Sequence, residues 1–434
     1  TLTGRRLNLL AALKPELGGH FVEVANISDS IILVGEPGPE VVFEVAAKDD
    51  ATVAVEVVSG EEVGELRAAG NRTYRFATLE SGLATLRVTA TLEGVERAIE
   101  KSVAVGELPD VEEGLRYHYA FDGSGAAETN LAGGSLGSVT GATRVASEYG
   151  SSLRLDSASE NVAFDAAFSE RVTLAALVRS DDLAASPHPR IVNMPYYYLY
   201  FSSGDGPEFP DGNRRTLKFF ANYSNFGVWN TPPRSVEQGQ WYFVVGSFDS
   251  RDLANTPRLF INGREQEVRL QQAPEGAMVR TGGPSYLGNN GTGDRAFEGL
   301  MADVRIYDRT LSAQEVGRLG ASMMQDRWSG MSIDAPAAVE VGIPATLQIL
   351  DTNDVTDGLA VDWHFPEGAD AEWARTDPDV TQLLFNEVGT YRVTAQVSDG
   401  VATRVLQREI AVLDGRLREG HYTGTSSGGG LAWL

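Results

Sequence analysis

Apolar and polar residues alternate with a period of two along most of this chain. Over 300–307 the alternation places Leu300, Ala302, Val304 and Ile306 on one face, as in a half-buried strand. Two earlier runs read the same way. One lies at 240–249 around Trp241, Phe243 and Val245; the other at 258–261 ends in Asn262-Gly263, a two-residue hairpin signal. Ser312 then opens a short helix, and Glu315 completes a capping box three residues on. Runs at 31–34, 41–45, 52–57, 74–76, 86–90 and 102–105 are also strands between turns, and residues 331–414 share that character. Only the start departs. Leu2, Leu7, Leu9, Leu10 and Leu13 recur at near-helical spacing, with Arg5, Arg6 and Lys14 opposite, which predicts an amphipathic helix ending at Pro15.

The motifs come in a recognisable order. W-x-F-V-V from Trp241 is followed by L-F-I-N-G from Leu259, Y-L-G from Tyr286 and G-x-M-A-D-V-R-I-Y-D-R-x-L-S from Gly299. Leu115 to Asp122 and Ser152 to Asp156 precede them. This series resembles the laminin-G-like, concanavalin A-like jelly-roll domains and implies such a fold over residues 114–320. Leu177 stands where that family usually has Trp, and Asn262 where Asp is common. Residues 20–106 suggest an immunoglobulin-like sandwich. Trp363-His-Phe-Pro-Glu-Gly368 and the run from Gly389 to Gly400 resemble the PKD-type sandwich over 331–414. A weak repeat links the flanks, since Arg87-Val-Thr-Ala90 recurs as Arg392-Val-Thr-Ala395. The expected fold class is therefore all-β, a concanavalin A-like jelly roll between two immunoglobulin/PKD-like β-sandwiches. A helical segment (1–19) precedes them and a Gly-rich tail (415–434) follows. Joints fall at 107–114 and 321–330.

Composition narrows the function. The 434 residues carry 60 acidic and 36 basic side chains, net charge −24, so a nucleic-acid partner is not expected, because phosphate binding needs a basic surface. No apolar run reaches the roughly 18 residues of a membrane helix, and no membrane insertion is expected. The chain has no cysteine, which rules out disulfides, thiolate metal sites and cysteine nucleophiles. For an all-β protein of this kind that points to a secreted or surface-attached bacterial setting. The first residues lack a signal peptide's apolar stretch, which reads as a chain already processed or cut from a longer one.

Catalytic signatures are missing. Gly424-Thr-Ser-Ser-Gly428 matches a nucleophile elbow in letters only, because it lies in a Gly-rich tail without the flanking strand and helix. The acidic E-x-D-x-x-E cluster of jelly-roll glycosidases is absent, and glycoside cleavage needs a carboxylate pair. The expectation is a protein that is not an enzyme. Asp351-Thr-Asn-Asp-Val-Thr-Asp-Gly358 resembles part of an EF-hand loop, but Val355 stands where a ligand belongs. The family resemblance implies a structural Ca²⁺ joining the first strand to the last through Asp303 and Asp122. The other reading makes Asp303 a turn cap and Asp122 a solvated loop acid.

For ligand binding, residues 186–232 stand out. Tyr196, Tyr198 and Tyr200 alternate with Tyr197, Leu199 and Phe201, so one set faces in and one out. Asn222, Tyr223, Asn225 and Trp229 add amides and rings, and a long loop lies at 207–213. Sugars bind through aromatic faces and amide hydrogen bonds, so Tyr196, Tyr198, Asn222, Tyr223, Asn225 and Trp229 are candidate ligand residues. The competing reading makes these rings core. The resulting expectation is a binding or adhesion protein recognising a glycan or a surface protein. The alternatives are a filament or stalk subunit that self-associates through its terminal segments, and an accessory region of a larger secreted enzyme.

Overall fold

The runs Gly82–Leu92 and Val95–Val105 pair along their whole length because only Glu93 and Gly94 separate them. Both turn residues have positive φ, 51° and 80°, as a type I′ hairpin turn requires. On the outer edge of this hairpin lies Ile31–Val34, all four residues buried, running parallel to Val95–Val105. A facing sheet of Val22–Val24, Glu40–Ala47, Thr73–Thr78 and Gly64–Ala68 closes the core over Phe43 and Phe76.

The computed structural model describes residues 21–27, 30–184, 186–202, 215–280, 282–328, 330–351, 359–366, 369–370 and 380–414. The expected N-terminal helix, the loop at 207–213, the 352–358 part of the acidic turn and the tail 415–434 lie outside them. The chain forms two compact units. One comprises residues 1–332, 350–364 and 394–407; the other 333–349, 365–393 and 408–434.

Within the first unit, the two flanking regions share a sheet. Ile31–Val34 pairs on its other edge, again in parallel, with residues 402–405. Ala360–His364, which ends in Trp363 and His364, pairs with residues 394–398 of Gly389–Ser398. Gln396, 2% exposed, ties these strands to the facing sheet: its Oε1 accepts from Val42 N–H at 2.7 Å and its Nε2 donates to Val42 C=O at 3.3 Å. A strand buried on both faces and paired on both edges reads as an unbroken apolar run, and Ile31-Ile-Leu-Val34 is one. In the second unit Ala345–Asp351 pairs with Val380–Phe385, and residues 338–340 run parallel to 411–413.

The jelly roll stacks two sheets. In one, Glu298–Tyr307 lies between Gly150–Leu155 and Arg171–Asp182, whose other edge carries Trp241–Asp249. Leu115–Tyr119 joins further along Glu298–Tyr307. In the nine-stranded sheet Pro284–Leu287, Arg190–Asn193, Tyr197–Ser202, Thr216–Ala221 and Gly227–Asn230 are successive neighbours. The Asn262-Gly263 hairpin forms as expected, with φ of 50° and 75°. One expectation fails at a bulge. Leu177 pairs with Asp303 and Val178 with Met301, leaving Ala302 as the extra residue. The face therefore switches: Met301, Val304 and Ile306 join the core between the two sheets, while Leu300 and Ala302, though buried, lie outside it.

The helix is longer than expected. It runs Ala313–Trp328 and takes up most of the predicted 321–330 joint. Its capping box forms: Ser312 Oγ accepts from Glu315 N–H at 3.2 Å, and Glu315 Oε2 accepts from Ser312 N–H at 2.8 Å. Burial of Val316, Leu319, Met324 and Trp328 explains the extension, since the helix fills the angle between Ile31 and the jelly roll's Phe243. A Cβ on Gly320 would collide with Ile31 Cδ1 and lie 2.8 Å from Phe243 Cε1, and both side chains are fully buried. Gly320→Ala gains about 1 kcal/mol of helix propensity but meets an overpacking penalty of about 1–3 kcal/mol. Thermal denaturation should show Gly320→Ala melting below wild type. Gly317→Ala, whose nearest neighbour is Ser102 Oγ at 3.0 Å and whose other contacts are ordinary, should hold or raise the midpoint.

Candidate functional site

Alternation settles which tyrosines face out. Tyr197, Leu199 and Phe201 fill the core, so Tyr198, Tyr200 and Ser202 stand on the opposite face of the nine-stranded sheet. On the next strand Leu217, Phe219 and Ala221 face in, leaving Thr216, Lys218 and Phe220 on that same outer face. The register then makes neighbours of Arg190 and Tyr200, Tyr198 and Phe220, Tyr200 and Lys218, and Lys218 and Asn230.

These side chains build a continuous stack. The Arg190 guanidinium lies 4.2 Å from the Tyr200 ring centroid and 4.6 Å from that of Tyr198. Tyr198 stacks on Phe220 at 4.3 Å and 9°, and Phe220 on Phe226 at 5.2 Å. Depth changes along the row. Arg190, Tyr200, Lys218 and Asn230 are buried, Tyr198 and Phe220 half-buried, and Phe226 is 41% exposed. At the shallow end Gln272 Nε2 donates to Asn225 Oδ1 at 3.0 Å, and Asn225 is exposed.

The deep end is cationic. Lys218 Nζ donates to Gln271 Oε1 at 2.9 Å, and burial together with the Arg190 charge pulls the Lys218 ammonium down to about 8. Burial, with Lys218, Arg190 and Arg295 beside it, pulls the His188 imidazole down to about 4. Burial also lowers Arg190.

Three of the rings expected to meet a ligand are interior instead. Trp229 is 1% exposed and packs on Phe248 at 5.2 Å. Tyr223 is 4% exposed and donates its hydroxyl to Ser250 C=O at 2.9 Å. Tyr196 is 5% exposed against Phe168. The sheet parity that sends Tyr198 out sends Trp229 in. Asn222 is half-buried and donates to Pro195 C=O at 3.0 Å, a turn-holding role. Tyr198 and Asn225 remain on the outer face. Arg190, Lys218 and Phe220 escaped the sequence reading, although opposite parity to the core Leu217 and Phe219 marks two of them.

In this structure Asp303 is engaged by an ion-pair network and Asp122 stands apart from it. Asp303 Oδ2 accepts from Arg305 Nη2 at 3.0 Å and from Arg305 Nε at 3.2 Å, and His118 Nε2 lies 3.2 Å from it. Arg305 Nη1 also donates to Asp110 at 2.6 Å, and Asp110 accepts from Ser322 Oγ at 2.8 Å. Although burial opposes it, Asp303 and Asp110 hold the Arg305 guanidinium firmly protonated. A carboxylate already neutralised by a buried guanidinium is a poor Ca²⁺ ligand. Asp122 is exposed, and among the described residues no group of three or more His, Asp or Glu is placed to hold a metal. Chelation should therefore leave the melting temperature unchanged, as should Asp122→Ala. Asp303→Ala should lower it, because breaking a buried ion pair costs about 3–5 kcal/mol and the surviving Asp110 contact recovers part of that. A chelator-dependent midpoint would restore the calcium site.

Residues 151–317 match the family model of the concanavalin A-like lectin/glucanases superfamily. No curated protein matches the chain. Similar solved structures include Trypanosoma rangeli sialidase in complex with sialic acid, at 13% identity and TM-score 0.39, covering 64% of this chain and 45% of that one. The same sialidase in another structure gives 13% and 0.38, covering 56% and 43%. A structure on the cell entry of botulinum neurotoxin type C, dependent on interaction with two ganglioside molecules, gives 9% and 0.36, covering 66% and 71%. The chain thus spans less than half the length of these sialidases. The expectation that the chain is not an enzyme does not stand, because a missing acidic motif does not exclude catalysis. At such identity no reaction is assigned by the likeness. Residues 151–317 form a concanavalin A-like domain within a nearly all-β chain.

Proposed function

We propose that the central domain binds a saccharide on the outer face of its nine-stranded sheet. The observation that carries this is the partly open aromatic row Tyr198–Phe220–Phe226 beside the amides of Asn225 and Gln272. Sugar rings present C–H faces that rest on aromatic surface, while their hydroxyls exchange hydrogen bonds with amides. Phe226 is the terminal ring, exposed on a hairpin whose neighbours are polar. The superfamily description of lectins and glucanases supports the same ligand class. A secreted or cell-surface bacterial setting, where such a module would meet glycans, is part of this reading.

A glycan array followed by calorimetry tests it. Phe226→Ala should weaken binding of the best ligand about tenfold, roughly 1.4 kcal/mol, and leave the melting curve unchanged because the ring is largely outside the core. Trp229→Ala should instead unfold the domain. Absence of any bound glycan across a broad array would end this reading.

A further inference from the structure

The deep end of the polar face holds two cations that no carboxylate answers among the described residues. Among the described residues neither Arg190 nor Lys218 forms an ion pair, and Arg190 Nε and Nη1 are buried without a hydrogen-bond acceptor. The chain carries 60 acidic residues, yet the described groups that perturb Lys218 and His188 are all cationic. Burying like charges together is unfavourable, and an uncompensated buried cation more so. Arg305 shows the usual remedy in the same domain, with a carboxylate on either side.

We propose that the saccharide bound on this face carries an anionic group, a carboxylate or a sulfate, which docks beside Arg190 and Lys218. This rests on the glycan-binding reading and names its ligand class. The Tyr198 and Tyr200 rings both lie against the guanidinium and hold it in place, so binding an anion costs little side-chain ordering. The stack joins both functions in one row, since Tyr198 touches Arg190 on one face and Phe220 on the other. A sugar ring at Phe220 and Phe226 would extend its charged substituent toward the cations. The described titratable groups facing Lys218 are Arg190, His188 and Tyr200, with Gln271 its hydrogen-bond partner. Of these Lys218 loses its charge first as pH rises above neutral, through about 8.

The test titrates the full chain at pH 7 with three oligosaccharides of equal length: an oligogalacturonate, a sulfated galactan fragment and a neutral galactan fragment. At least one anionic ligand should bind ten times more tightly than the neutral one, and which one binds identifies the anion. Arg190→Gln and Lys218→Met should each reduce that preference, read as the ratio of anionic to neutral affinity within each variant. The wild-type preference should also shrink between pH 7 and pH 9. Where Arg190→Gln fails to fold, Lys218→Met and the pH profile decide. The net charge of −24 opposes non-specific polyanion uptake, so tighter anion binding reports the site. Equal affinity for neutral and anionic ligands overturns this inference and leaves glycan binding standing. No binding to these ligands or to a broad array overturns both.

Discussion

A β-strand that commits every second side chain to a core has only the other half left for chemistry. In the nine-stranded sheet the core claims Tyr197, Leu199, Phe201, Leu217, Phe219 and Trp229. Everything a ligand can meet there must come from the complementary set. Tyr198, Tyr200, Lys218 and Phe220 are that set, and the register assembles them with Arg190 into one row. In the companion sheet the same constraint is broken at Ala302, where one extra residue suffices to exchange the faces of Leu300 and Met301.

Buried charge is handled in two ways within one domain. Arg305 is enclosed by Asp303 and Asp110, so its charge is neutralised inside the chain and serves stability. Arg190 is enclosed by aromatic faces, which attract its charge without cancelling it. The first arrangement removes two carboxylates from metal binding. The second leaves positive potential at the base of an aromatic face, where a ligand can complete it.

The region around Ile31–Val34 shows a different dependence. Four apolar residues, paired in parallel on both edges, hold the N-terminal hairpin and residues 402–405 in one sheet. Gly320 lets the helix approach that strand and Phe243 together, so helix, sandwich and jelly roll meet at one close contact. A methyl group there would be felt by all three.

Local chemistry was legible in the residues themselves. Asn262-Gly263 demands a two-residue turn, Ser312 and Glu315 a helix start, and period-two runs demand strands, because turn, cap and alternation depend only on near neighbours. The ordered motifs from Trp241 to Tyr307 likewise pointed to the concanavalin A-like architecture. Which tyrosines face outward was not legible, since parity acquires a direction only when the opposing sheet supplies a core. Nor was the helix's full length, which Ile31 and Phe243 stabilise from distant parts of the chain. The pairing of 31–34 with 402–405, the bulge at Ala302 and the meeting of Arg190 with Tyr198, Tyr200 and Lys218 arise from contacts between strands. Sequence determined the strands and their turns; only packing decided which face of each would carry the chemistry.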